Sequence, residues 1–129
     1  MEFDNIITKY TAAKRRINEL MATDDRYGEE MKYKREYVDG IDQALGNFDF
    51  VLLRDHTGNY AVERCSEIYP GIQIHQDFIF RFTQKHSELG SDYSKSKSVS
   101  YWFNGVNLVL SSLGYNVAWD NNKFIIKKS

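Results

Sequence analysis

The sequence predicts a mostly helical α+β protein, with an N-terminal antiparallel helical hairpin and a second part that ends in a β-hairpin. Three observations lead there. Two stretches within residues 1–48 place apolar side chains at alternating steps of three and four. A third such stretch, near the C-terminus, puts seven apolar residues on one helical face. Two β-prone runs then flank Asp120-Asn121-Asn122-Lys123.

The first stretch is Phe3, Ile6, Tyr10, Ala13, Ile17 and Leu20, a helical seam that should end near Ala22. Thr23-Asp24-Asp25 reads as a turn in which Thr or Asp can cap the next helix. The second seam is Tyr27, Met31, Lys34, Val38, Ile41, Leu45 and Phe48, with Lys34 as its one polar intrusion. Gly40 weakens that helix by about 1 kcal/mol relative to Ala, and Gly46-Asn47 offers a stop. Each helix has a single apolar stripe. The hairpin of residues 1–47 must therefore cover itself with the rest of the chain or with a second copy.

Residues 48–54 read as a strand or buried extended segment, and Asp55–Asn59 as a loop. Tyr60–Tyr69 fits two patterns. Ala61, Cys65 and Ile68 have helical spacing, whereas Tyr60, Val62 and Arg64 alternate as in a strand. The helix is the favoured reading, ended by Pro70-Gly71. Ile72–Ile74 is expected as a very short strand, and His75–Leu89 as a helix with Phe78, Phe82 and Leu89 inward. Gly90-Ser91-Asp92 breaks it, and a polar stretch, Tyr93–Ser98, follows. The last helix is expected over Ser98–Leu113. Val99, Trp102, Phe103, Val106, Val109, Leu110 and Leu113 share its core face, and Gly114 ends it.

Composition narrows the function. The chain of 129 residues is 42% hydrophobic, which argues against disorder. With nine Tyr and eight Phe it has the aromatic content of a small core or of an interface. The formal net charge of −1 supplies no global basic field for nucleic acid. Its distribution is uneven. Residues 1–92 hold 12 basic and 17 acidic side chains, and residues 93–129 hold five Lys and one Asp. Such asymmetry points toward a polyanion. A single cysteine, Cys65, fits a reducing compartment. Met1-Glu2-Phe3-Asp4 carries no signal or transit pattern, and no apolar run matches a bilayer. A cytoplasmic location without membrane contact is expected.

From Tyr60 onward the expected order is helix, short strand, helix, turn, helix and two-stranded hairpin. That order resembles the winged helix-turn-helix superfamily over about residues 59–129, so residues 48–129 form a winged-helix-like domain beside the 1–47 arm. The resemblance implies DNA contact by the last helix and the wing. On this sequence the contacts would be Ser100, Tyr101, Asn104 and Asn107 on the outer face of the helix. Lys95 and Lys97 would stand just before it, near phosphates, with Asn122 and Lys123 on the wing.

Catalytic and metal patterns are weak. Cys65, His56, His75 and His86 lack the paired spacing of a structural zinc site. Ser94-x-x-Lys97 matches an acyl-transfer motif but lacks its partner motifs, and no Gly-rich phosphate loop follows a strand. The expectation is a non-enzymatic protein needing no cofactor and no small-molecule substrate. It would bind single- or double-stranded DNA, as a regulator or replication accessory of a bacterial, phage or mobile element. Residues 1–47 would dimerise or dock a protein. The alternative is an adaptor or inhibitor that occupies a nucleic-acid-binding protein.

Overall fold

Steps of three and four bring the N-terminal apolar residues onto single faces, and both stretches are helical in the computed structural model, which describes residues 3–65 and 78–129. Helix α1 (Asp4–Met21) buries Ile6, Tyr10, Ala13, Ile17 and Leu20. The Thr23 side chain accepts the Asp25 N–H at 3.1 Å, so it caps a short 3-10 turn, Asp24–Tyr27, and not the next helix directly. Tyr27 belongs to that turn and is 88% exposed, off the seam expected for it. Helix α2 (Glu29–Asn47) starts at Gly28 with Glu29 and Glu30 in its first turn, where carboxylates suit the helix dipole.

Strand β1 (Phe50–Arg54) pairs antiparallel with β2 (Tyr60–Arg64), Leu52 opposite Val62. The favoured helix at Tyr60–Tyr69 is therefore wrong over its first five residues. Alternation won because a partner strand was present. Phe50, Leu52, Tyr60 and Val62 share the face turned to the core, with Phe3 against Phe50 and Tyr10 against Tyr60. Asp55 shapes the loop by accepting the N–H groups of Thr57 and Asn59, and Gly58 has a φ of 88°. Cys65 is helical and buried, and residues 66–69 of that expected helix and the expected strand Ile72–Ile74 lie outside the described residues.

Helix α3 (Phe78–Glu88) buries Phe78 and Phe82, while Leu89, expected inward, lies past its end and is partly exposed. Helix α4 (Tyr93–Leu113) starts five residues earlier than expected. The Asp92 carboxylate accepts the Lys95 N–H at 3.0 Å and nucleates the polar Tyr93–Ser98 stretch as the first helical turns. The link from α3 is thus only Leu89–Asp92. Of the seven expected core residues, Val99, Trp102, Val106, Val109 and Leu110 are buried, and Phe103 and Leu113 pack partly buried against them. Gly114, at φ 80°, ends the helix in the left-handed conformation.

Strands β3 (Tyr115–Asp120) and β4 (Lys123–Lys128) form the expected C-terminal hairpin. Asn121 and Asn122 both have positive φ, the geometry of a two-residue turn that matches strand twist. Val117, Ile126 and Phe124 face the core, and Phe124 packs edge-on against Phe82.

The largest contact between elements is α2 on α4. There Gly40 and Gly105 meet reciprocally. A Cβ added at Gly40 would overlap the Trp102 carbonyl, and one at Gly105 the Tyr37 carbonyl. Beside them the Trp102 indole N–H donates to Asp39 at 2.9 Å, satisfying a polar group on a fully buried ring. Lys85 pairs with Glu36 at 3.0 Å and ties α3 to α2. The buried residues of α1 and α2 therefore share one core with those of α4. The rest of the chain, and not a second copy, covers the apolar stripe of the helical hairpin.

Gly40→Ala and Gly105→Ala test this crossing, because helix propensity and packing give opposite signs. Propensity alone would stabilise each variant by about 1 kcal/mol. Overlap with a backbone that cannot swing aside is expected to win, for a net loss of roughly 1–3 kcal/mol in urea denaturation. Gly90→Ala, at an open position, should stay within about 0.5 kcal/mol of the parent. Stabilisation of both crossing variants would contradict the close approach.

Candidate functional site

With Tyr93–Ser98 helical, α4 turns by about 100° per residue through its polar start. Lys95 and Lys97 therefore lie within the first turns of α4, not before it, and leave the helix about 200° apart. Lys97, Ser100, Tyr101, Asn104 and Asn107 keep to the outer side. The stripe then divides. Tyr101 and Asn104 border a cleft of about 530 Å³ between α1, α2 and α4. Asn107 borders a second cleft beside Phe82, Phe103 and Tyr115. Asn122 and Lys123 are exposed at the tip of the β3–β4 hairpin. Ser100 donates its hydroxyl to the Lys97 carbonyl at 2.6 Å, which leaves its lone pairs free for a ligand's donor.

The first cleft has a tyrosine floor. Tyr33 of α2 and Tyr101 of α4 stack with centroids 4.6 Å apart and planes 10° from parallel. The Lys97 ammonium lies 5.2 Å from the Tyr33 centroid and 6.0 Å from that of Tyr93, one helical turn earlier. Tyr33, and then Tyr93, hold the Lys97 amine above its ordinary range, so it remains charged at neutral pH. Lys9 and Lys34 line the cleft itself. Among the described residues, none of these three lysines has a carboxylate at ion-pair distance. The one carboxylate in the lining, Glu30, is held by Arg16 through hydrogen bonds of 2.6 and 2.9 Å. That pairing keeps it ionised below the usual carboxylate range and compensates its charge. The cleft is thus aromatic, amide-bearing and locally cationic on a chain of near-zero net charge.

No protein-family model, curated protein or solved structure matches this chain.

Sequence reasoning found Lys97, Tyr101 and Asn104, because all three follow from one helix and its apolar face. It missed Lys9, Tyr33 and Tyr93. Tyr33 comes from a helix 68 positions away from Tyr101, and no local pattern joins them. One signal was present. Lys34 broke the second apolar seam, and in the structure it lines this cleft.

Stacking of Tyr33 on Tyr101 joins α2 to α4 in the lining of the cleft. A double-mutant cycle with Tyr33→Ala and Tyr101→Ala, read by urea denaturation, should give a coupling of about 0.5–1.5 kcal/mol. Strictly additive losses would mean that the two rings do not interact.

Proposed function

We propose that this chain is a non-catalytic nucleic-acid-binding protein that uses the outer side of α4. The observation that carries the reading is one cleft lined by Tyr101, Asn104, Tyr33, Lys9 and Lys34, with the Lys97 ammonium 5.2 Å from the Tyr33 ring centroid. Ammonium groups outside ion-pair distance of a carboxylate attract phosphate. Ring faces and an amide suit bases. Of the winged-helix order, whose first helix is replaced by a strand at Tyr60–Arg64, the last two helices and the hairpin remain; on that pattern the last helix makes the contact, and Asn122 and Lys123 at the hairpin tip would add backbone contacts as a wing does.

The compartment in this reading is the cytoplasm. No helix among the described residues is long and apolar enough to cross a membrane. Dimerisation or docking through residues 1–47 would have to use their outer side, because the inner stripe lies against α4 and β1–β2.

One observation favours the alternative of a protein-binding adaptor or inhibitor. Trp119, near the tip of the hairpin, is 61% exposed, a large apolar anchor of the kind that protein interfaces use.

A salt titration of binding to labelled single- and double-stranded DNA separates the two. The nucleic-acid reading expects affinity that falls steeply with salt. Lys9→Ala, Lys34→Ala and Lys97→Ala together should reduce the slope of log K against log salt by about 2–3, while Lys95→Ala should change it little. No binding to either form at low salt would overturn the reading and leave protein docking through Trp119.

A further inference from the structure

Resting on the nucleic-acid reading above, we infer that the ligand of the α1–α2–α4 cleft is an unpaired strand whose bases stack on tyrosine rings, and not a duplex. Shape is the first reason. Reading a duplex takes a convex helix that enters a groove about 12 Å wide. Here the centre of the α4 stripe, Tyr101 and Asn104, borders a concavity walled by α1 and α2. Its volume of about 530 Å³ lies in the range of small-ligand sites, enough for a nucleotide and far too little for a double helix.

The groups offered are the second reason. Tyr93, joined to the cleft through the Lys97 ammonium that lies 6.0 Å from its ring centroid, is 80% exposed, and Tyr101 lines the cleft while stacked on Tyr33. Ring faces bind base faces, and base faces are covered in a duplex and open in a single strand. The third reason is a missing group. Residues 93–129 contain no arginine, the side chain that most often reads guanine in the major groove. What remains is lysine for phosphates and tyrosine for bases, a pairing that tolerates any sequence.

The test is fluorescence anisotropy on the full chain with four probes of equal length: oligothymidylate, oligouridylate, a DNA duplex and an abasic phosphodiester strand. Oligothymidylate or oligouridylate should bind at least about tenfold more tightly than the duplex or the abasic strand. The ratio of the first two then tells whether the source is DNA or RNA. Tyr93→Ala should weaken single-strand binding by roughly 5- to 100-fold, and Tyr93→Phe, which keeps the ring, should not. Tyr93 is at the surface, so its variants fold. Duplex or abasic strand bound as tightly as the base-bearing strands, or Tyr93→Ala without effect, would overturn the inference and leave the nucleic-acid reading intact. Failure of all four probes at low salt would overturn that reading as well.

Discussion

Two glycines set how closely the central helices approach. At Gly40 and Gly105 the backbones of α2 and α4 touch with no room for a Cβ on either side. Helices carrying ordinary side chains pack about 8–10 Å apart. Removing the side chain on both sides at the crossing lets the flanking residues interdigitate deeply. Trp102 is buried completely as a result, with its indole N–H on Asp39 and its ring against Phe78 and Phe82. Each glycine costs helix propensity, and the dispersion and burial gained along the interface offset that cost.

The remaining elements follow from this pairing. Tyr33 meets Tyr101 before the crossing, and Phe48 meets Tyr115 beyond it, so α2 and α4 run in the same chain direction. Parallel neighbours need a long connection, and β1–β2 and α3 lie within it. The β1–β2 hairpin covers α1 and α2 with Phe50, Leu52 and Tyr60, while β3–β4 covers α3 and the end of α4 with Phe124 and Val117. The same approach sets the candidate site. Tyr33 and Tyr101 are drawn face to face, and Lys97, one turn before Tyr101, lies over the Tyr33 ring.

What the sequence disclosed were the features that a single element carries: the three apolar faces, the stop at Gly114 and the Asn121-Asn122 turn. Three kinds of feature were not disclosed. Tyr60–Arg64 satisfied both periods, and only pairing with Phe50–Arg54 decides between them. The first turns of α4 are Ser and Lys, residues with no apolar rhythm, and the cap at Asp92 was read as a break because its acceptor role depends on the Lys95 N–H. Gly40 looked like a local weakness. Its purpose appears only when Gly105, 65 positions later, lies against it. The tyrosine floor of the cleft was hidden for the same reason, since half of it comes from α2.

Native-state hydrogen exchange tests the central claim most directly. If the glycine crossing organises the fold, the slowest amides should be those of Val38–Leu45 and Trp102–Leu110, exchanging only by global unfolding and together. Fast, independent exchange of those two segments, while either β-hairpin stays protected, would contradict the account.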